Sequence, residues 1–432
     1  MRETGDVPAR LRPATPADAA DVARIWYAGW QDGHLGRVPG ELVAVRTRDT
    51  FDARAAARVP DTVVAEVDGD VAGFVMTDAD EVDQVYVDAA RRGSGLAATL
   101  LGAAERRVLA QGHPRAWLAV VPGNERARAF YARQGWRDEG SFHHRAPVGD
   151  GYVQVPCHRY VKDVSPLIGP EELADRRPEV VVLDVRWRLG GPPGRPEFEA
   201  GHVPGAAYVD LDTELADPPG ARGRHPLPGT DTFLAAMRRA GVRRGRPVVV
   251  YDDWGGRAAA RCWWLLRHHG HDAVRVLDGG WTAWQDVVGE VETGPGRPRA
   301  AGDLDGSAGA MPVVDAVSAT TVPVLVDARA PERFRGETEP VDPVAGRVPG
   351  AVNVPATDNL DGSGRFRSAA ELREVYAGVG VTDDDEVAAY CGSGVVACHD
   401  LLALESIGLQ GALYPGSWSE WVADDSRPVE TG

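Results

Sequence analysis

Apolar and polar positions alternate between helical and strand spacing across the first part of the chain, about residues 9–162. Val22, Ile25 and Trp26 recur at helical spacing and mark one face of an amphipathic helix. Shorter apolar runs, separated by turn residues, have the spacing of strands. The pattern predicts an α/β domain, with helices at 17–30, 96–110 and 125–134 and strands at 62–67, 71–76, 84–87, 116–121, 136–142 and 152–158.

The remainder of the chain, about residues 165–425, contains an internal repeat with a period of about 140 residues. Strand and helix patterns alternate in each copy, which predicts parallel sheets covered by helices on both faces. A Gly/Pro-rich stretch at 295–311 is the expected linker, so we predict copies at 165–296 and 312–425. The matched pairs are Val181–Arg186 with Val324–Arg329, Gly201–Ala206 with Gly346–Ala351, Val249–Asp252 with Ala388–Cys391, and Leu277–Trp281 with Tyr414–Trp418.

Cys391 lies on a glycine-bearing loop between an apolar run at 386–390 and a helical pattern at 397–406. Backbone N–H groups and the positive end of a helix surround such a position and stabilise a thiolate. A buried structural cysteine is the alternative interpretation. The first copy carries Asp252 at the equivalent position, and a carboxylate cannot perform thiol chemistry. We therefore expect the second copy to be catalytic and the first to be structural or substrate-shaping.

Composition narrows the class of protein. A net charge of −17 over 432 residues disfavours nucleic-acid binding, and no apolar run approaches the ~20 residues of a membrane span. Four cysteines do not make a disulfide framework, and residues 1–6 lack the apolar stretch of a secretory signal, so we expect a cytoplasmic protein. We predict no metal site. His268, His269 and His271 crowd a predicted helix end, where we expect a cap and solvated surface.

The duplicated part resembles the tandem rhodanese-type sulfurtransferases. The motifs that carry the resemblance are Gly-His-Val-Pro-Gly-Ala at 201–206, Leu-Asp-Gly-Gly-Trp at 277–281, Arg-Phe-Arg-Gly at 333–336, Cys-Gly-Ser-Gly-Val-Val-Ala at 391–397 and Gly-Ser-Trp-Ser-Glu-Trp at 416–421. The resemblance implies that Cys391 takes sulfur from a small donor as a persulfide and passes it to cyanide or to a thiol. The thiol acceptor would be a small molecule or a thioredoxin-like protein.

The same resemblance implies roles for the residues around Cys391. Ser393, assisted by His202, would relay a proton, and Arg333 and Arg335 would bind the donor's carboxylate. A second carboxylate-binding arginine of the mercaptopyruvate branch is missing, because Val341 or Asp342 aligns there. The donor therefore stays open between 3-mercaptopyruvate and thiosulfate. The loop residues expected to hold the anionic sulfur are Gly392, Gly394, Val395, Val396 and Ala397.

Two other classes remain as alternatives for the duplicated part. A phosphatase on the same fold needs an arginine six positions after the cysteine, and Ala397 stands there. A non-catalytic sulfur-carrier or binding module is the second alternative, although such a module need not keep Cys391.

The first part resembles the GNAT acetyltransferases, on the motif Arg92-Gly-Ser-Gly-Leu-Ala97 and on Phe130, Tyr131, Gly135 and Trp136. The resemblance implies a mixed sheet and an acetyl-CoA site, with Tyr131 as the acid that protonates the leaving thiolate. The acceptor is an unknown amine, and Glu81 and Asp83 are candidate bases. An acyl-CoA-binding sensor without turnover is the alternative. The predicted cofactor contacts are Val87, Arg92, Gly93, Ser94, Gly95, Leu96, Ala97 and Asn124.

Overall fold

A computed structural model describes residues 9–149, 151–297, 299–383 and 385–432, so the prediction about residues 1–6 lies outside the described residues. The chain forms two compact units that divide between Val164 and Ser165. None of the described helices combines the length and the apolar character that crossing a membrane requires.

The first unit is a seven-stranded mixed sheet with helices on both faces. The sheet order is β1-β2-β3-β4-β5-β7-β6, and every neighbouring pair is antiparallel except β4 and β5. The strands are β1 Arg10–Pro13, β2 Thr62–Val67, β3 Asp70–Asp78, β4 Glu81–Val87, β5 Arg115–Val120, β6 Arg137–Val148 and β7 Gly151–Asp163. The helices are α1 Ala19–His34, α2 Gly40–Val45, α3 Arg48–Ala57, α4 Leu96–Ala110 and α5 Glu125–Arg133.

The two parallel strands of this sheet, β4 and β5, pair only where Glu81 faces Trp117. Beyond that point they diverge, so a gap opens between them toward the end of β4, where the glycine loop at 92–97 begins α4. The predicted mixed sheet is confirmed. The sequence pattern missed β1, α2 and α3, which are short or polar, and it placed the start of β4 three residues late.

The second unit contains the two copies, each with its own parallel sheet. The first copy has strand order β10-β9-β11-β12-β8 and the second has β14-β13-β15-β16. The strands are β8 Leu167–Ile168, β9 Val181–Asp184, β10 Ala207–Tyr208, β11 Val248–Tyr251, β12 Val274–Leu277, β13 Val324–Asp327, β14 Val352–Asn353, β15 Val387–Tyr390 and β16 Gly411–Leu413. The helices are α6 Pro170–Arg176, α7 Gly194–Ala200, α8 Leu211–Glu214, α9 Thr230–Arg239, α10 Arg257–His268, α11 Gly280–Val287, α12 Pro331–Phe334, α13 Ala369–Ala377, α14 Ala397–Ser406 and α15 Ser417–Trp421.

The central strands β9, β11 and β15 are buried along their whole length, as expected for parallel strands covered on both faces. The two copies share one hydrophobic core, in which α10 of the first packs against α14 of the second. Each of these helices follows the loop at the end of a central strand. The duplication therefore brings the Asp252 loop and the Cys391 loop to the same interface.

One expectation about the first copy needs correction. His268, His269 and His271 are buried, not solvated, because the end of α10 packs into the core, where His269 stacks on Phe233 with ring centroids 4.5 Å apart. The predicted linker is ordered where it is described: Gly302 donates its N–H to the carbonyl of Arg238 at 2.7 Å, and Leu304 is buried.

Candidate active sites

Cys391 lies directly after β15, in the turn that begins α14, and only 2% of its surface is exposed. The Gly394 N–H points at its Sγ over 3.1 Å, so the loop already donates one hydrogen bond to the sulfur. Gly394 has φ +77°, and a Cβ there would lie 2.4 Å from the carbonyl oxygen of Pro415. Glycine at 394 is therefore needed both for the turn and for close backbone packing.

The equivalent loop of the first copy shows what kind of group this turn holds. The Asp252 carboxylate accepts four backbone hydrogen bonds, with distances of 2.7–2.9 Å. The donors follow the aspartate at the strand end and the start of α10: Trp254, Gly256, Ala258 and Ala259. The fold thus builds a cradle for an anion at this position, and in the second copy the anion would be the sulfur of Cys391.

The Ser393 hydroxyl contacts a histidine of the first copy, since His225 Nδ1 lies 2.7 Å from Ser393 Oγ. The other ring nitrogen, Nε2, lies 3.5 Å from a carboxylate oxygen of Asp212. Burial, with the charges of Arg261 and Arg224, lowers the pKa of His225 to about 4. The imidazole is therefore neutral at neutral pH and can exchange a proton with the hydroxyl.

His202, which the family resemblance pairs with Ser393, lies elsewhere. It is fully buried, its Nδ1 contacts the Phe198 carbonyl at 2.8 Å, and its ring stacks on Phe198 at 3.8 Å. The prediction that His202 assists Ser393 is corrected, because the described contact of Ser393 is with His225. The turn motif places His202 in the core beside α7 and away from the cysteine loop.

Two arginines flank the cysteine loop, one from each copy. A Cβ at Gly392 would lie 2.7 Å from Arg224 Nη2 and 3.6 Å from Arg333 Nη2, so glycine lets both guanidinium groups approach. Arg333 forms a two-pronged ion pair with Glu339, at 2.6 and 3.1 Å. Asp342 pairs with Arg224 and also lies 3.3 Å from Arg333. The acids hold the arginines in place beside the loop.

Arg224 and Arg333 line a cavity of about 320 Å³ that Cys391 also lines. The predicted residues Gly392, Ser393, Val395 and Val396 line it as well. Arg335 does not: it is exposed and pairs with Glu337 at 2.7 Å, so its predicted role in donor binding is not supported by its position. Trp187 and Trp254 of the first copy complete one wall.

Arg224, His225 and Asp212 are the residues that sequence reasoning missed. Arg224 and His225 lie in the loop between α8 and α9, which has neither helical nor strand spacing. Gly223 has φ +96°, and a Cβ there would lie 2.7 Å from the Gly416 carbonyl oxygen. This close packing holds the loop against the second copy, so that Arg224 lies near Gly392 and His225 contacts Ser393. The sequence offers one signal for these residues, the cationic run Arg-Gly-Arg-His at 222–225 inside a Gly/Pro-rich loop.

The first unit has a separate cavity of about 640 Å³ that extends through the gap between β4 and β5. Predicted cofactor residues line it, and Gly93 and Gly95 have φ of +85° and +86°, in the left-handed region that favours glycine. Ser94 does not line the cavity, since its hydroxyl donates to the Arg91 carbonyl at 2.8 Å. The other predicted contacts that line it are Val87, Arg92, Leu96, Ala97 and Asn124.

Tyr131 and Asn124 reach this cavity from the two ends of α5. Burial raises the pKa of Tyr131 to about 12, so the phenol keeps its proton at neutral pH. Asn124 caps α5, because its side-chain oxygen accepts the Ala127 N–H at 3.2 Å. Glu81 also lines the cavity and lies 3.1 Å from His144 Nε2, whereas Asp83 pairs with Arg58 at 3.0 Å.

Comparison with known proteins identifies the families that the two units resemble. A model of the rhodanese-like domain matches residues 169–287 and 313–424, and a model of the acetyltransferase (GNAT) family matches residues 26–136. The putative thiosulfate sulfurtransferase SseB of Mycobacterium tuberculosis is 46% identical over 259 residues, which cover 59% of this chain and 91% of that protein. The probable 3-mercaptopyruvate sulfurtransferase of Pseudomonas aeruginosa is 42% identical over 279 residues, covering 62% of this chain and 98% of that protein.

A solved structure shows the same fold. The crystal structure of the 3-mercaptopyruvate enzyme SseA from Escherichia coli superposes with a TM-score of 0.52 at 32% identity, covering 59% of this chain and 99% of that one. A tandem parallel-sheet fold with one cysteine loop defines a rhodanese-type sulfurtransferase. The chain belongs to the rhodanese family and carries a GNAT domain before its two rhodanese domains.

Proposed function

We propose that Cys391 accepts sulfur from 3-mercaptopyruvate as a persulfide and passes it to a thiol or to cyanide. The observation that carries this choice of donor is the contact of Ser393 with a neutral His225. Removing sulfur from mercaptopyruvate leaves an enolate, a strong base that must take up a proton. Thiosulfate leaves as sulfite, a much weaker base that needs no such relay. A proton relay beside the cysteine therefore favours the thiol-bearing oxo acid.

The proposed step balances without another reactant. Cys391 Sγ⁻ attacks the donor sulfur, a sulfur–sulfur bond forms, and the bond from that sulfur to carbon breaks with its electrons passing to the enolate. The enolate carbon takes the Ser393 hydroxyl proton. The proton that arrived on the donor thiol then returns to Ser393 through His225, leaving an anionic persulfide and pyruvate. Loop N–H groups, arranged as they are around Asp252, would hold the persulfide's charge.

The donor's carboxylate is proposed to bind between Arg333 and Arg224. A guanidinium group is suited to a carboxylate because its N–H groups form a planar fork. Arg224 would take the place of the arginine that is missing near Asp342, since Asp342 holds Arg224 against the same loop. The first copy would then shape the site by supplying one cation and the relay histidine.

Steady-state sulfur transfer with the two donors tests this proposal. Wild type should turn over mercaptopyruvate with a higher kcat/KM than thiosulfate, and Cys391→Ser should remove both activities. A clear preference for thiosulfate would contradict the choice of donor while leaving the family assignment intact. Retained transfer by Cys391→Ser would contradict the role of the cysteine.

We propose a second activity for the first unit, acetyl transfer from acetyl-CoA to an amine. The supporting observation is one cavity that joins the glycine loop, Asn124 and a protonated Tyr131 across the gap between β4 and β5. Free N–H groups at the start of α4 suit the cofactor's pyrophosphate. Calorimetry with acetyl-CoA and turnover with an amine panel provide the test. Tight binding without turnover of any amine would favour the sensor.

A further inference from the structure

The acetyl-CoA cavity carries an excess of positive charge that the cofactor loop does not explain. Six arginines line it against two acids, Glu81 and Asp83. Four of the arginines belong to the loop before α4 or to α5, on the side proposed for the cofactor's phosphates. The other two, Arg46 and Arg54, come from α3 and the turn that precedes it.

Arg46 is buried, with 8% of its surface exposed, and its Nη2 donates to the Pro147 carbonyl at 3.0 Å. Arg54 lies over the Trp26 ring, 4.4 Å from its centroid. Within the described ranges, neither guanidinium forms an ion pair: the charge of Asp83 acts on both, but its carboxylate pairs with Arg58, and Glu81 pairs with His144. Burial and the neighbouring charge of Arg54 lower the pKa of Arg46 to about 10.

A buried or half-buried guanidinium without a bonded carboxylate is costly, and a ligand that brings a negative charge would offset that cost. Acetyl-CoA's phosphates are poorly placed to do so. Arg46 and Arg54 lie near Asp83, close to the start of β4, whereas the pyrophosphate loop follows the end of that strand. Asp88 directly follows β4 and is five residues after Asp83, which amounts to about 16 Å of extended chain. The two arginines therefore face the part of the cavity left for the acceptor.

We propose that Arg46 and Arg54 bind the carboxylate of the acetyl acceptor, so that the acceptor is an amine that carries a carboxylate, such as an α-amino acid. This inference rests on the acetyl-CoA-dependent function proposed above. Trp30, Val38 and Leu42 line the same cavity and would contact an apolar side chain on the acceptor. The Glu81–His144 pair lies in the same cavity and would take the proton that the amine loses.

Paired acceptors that differ only in the carboxylate test the proposal. Leucine and phenylalanine are compared with their amides, in the full-length protein, by kcat/KM for acetyl transfer. We expect the free acids to be preferred at least tenfold. Arg46→Met and Arg54→Met should each lower kcat/KM for the acids by about tenfold to a hundredfold, as expected for loss of a charged hydrogen bond, with little change for the amides. Arg46→Lys, which keeps the charge, should retain part of the preference.

Arg48→Met is the matched control, because Arg48 is an exposed residue of α3 that pairs with Asp52. It should leave both acceptor classes unchanged. Equal or better turnover of the amides would overturn the proposal, as would equal losses for acids and amides in Arg46→Met. A preference for phosphoethanolamine over glycine would overturn the choice of a carboxylate.

Calorimetry separates this proposal from the one on which it rests. Leucine is titrated into the protein with and without CoA, and acetyl-CoA is titrated separately. If acetyl-CoA does not bind but leucine binds to wild type and not to Arg46→Met, the acetyltransferase proposal fails and the carboxylate site stands. If acetyl-CoA binds and no amino acid binds in either state, the carboxylate site is refuted.

Discussion

His225 of the first rhodanese copy lies 2.7 Å from the Ser393 hydroxyl of the second, across 168 positions of the chain. The relationship places a neutral imidazole against the hydroxyl of the residue two positions after Cys391. It gives a reason why the first copy, which has Asp252 in place of the loop cysteine, would still belong to the proposed active site. The first copy would supply the histidine of the proton relay, and its Trp187, Arg224 and Trp254 line the donor cavity.

The relay predicts that His225→Asn slows the two donors unequally. Turnover of mercaptopyruvate should fall by about 10²–10⁴-fold, the range for loss of general acid–base catalysis, and thiosulfate turnover should fall only a few-fold. The measurement is kcat for each donor at neutral pH. His202→Asn is the control and should leave the donor ratio unchanged. Equal losses for both donors in His225→Asn would contradict the relay.

The pair of arginines predicts an effect on donor affinity. Arg224→Met and Arg333→Met should each raise KM for mercaptopyruvate by about tenfold or more, because each removes a charged hydrogen bond to the carboxylate. Initial-rate measurements over a range of donor concentrations give this value. Arg335→Met serves as the control, since Arg335 is exposed and pairs with Glu337. A normal KM in Arg224→Met would show that Arg224 pairs with Asp342 without binding the donor.

The Asp252 cradle predicts a loss of stability without a loss of chemistry. Each carboxylate oxygen of Asp252 accepts two backbone hydrogen bonds, and Asp252→Asn replaces one oxygen by an NH2 group that cannot accept them, which should cost about 1–3 kcal/mol of unfolding free energy. Denaturant unfolding and sulfur transfer per folded molecule are measured together. Loss of transfer in a stably folded Asp252→Asn protein would contradict a structural role for this loop.

We expect the rate of acetyl transfer by the GNAT domain to depend on pH. The hydrogen bond to Glu81 raises the pKa of His144 above its ordinary value, so the unprotonated imidazole becomes available only at a higher pH than for a free histidine. Acetyl transfer should therefore increase as the pH rises through the His144 pKa, and Glu81→Gln should move this rise to lower pH. The same acceptor is used for both proteins, so its own ionisation cancels. An unmoved pH profile would exclude His144 as the proton acceptor.

The local features of the site could be predicted from the sequence. Cys391 follows a strand and begins a helix, and the repeat shows Asp252 at the same place, so a short stretch of chain determines both positions. The parallel sheets follow equally from buried apolar strands such as Val248–Tyr251. In each case, neighbouring residues and their spacing contain the information.

Residues brought in by long-range packing could not be predicted in this way. Arg224 and His225 belong to a loop whose position depends on contact with the second copy, where Gly223 packs against Gly416. His202 carries a recognisable motif, yet the fold stacks it on Phe198 instead. Arg46 was missed for a similar reason, because α2 is short and α3 is polar, and their burial depends on α1 and the sheet.

The persulfide on Cys391 is the central claim, and mass spectrometry of the protein after brief exposure to mercaptopyruvate tests it most directly. We predict that the chain gains the mass of one sulfur atom, that peptide mapping places this sulfur on Cys391, and that an added thiol removes it. Cys157, Cys262 and Cys398 should remain unmodified, since burial raises the pKa of each thiol. A gain of sulfur on another cysteine, or turnover with no sulfur on Cys391, would contradict the account.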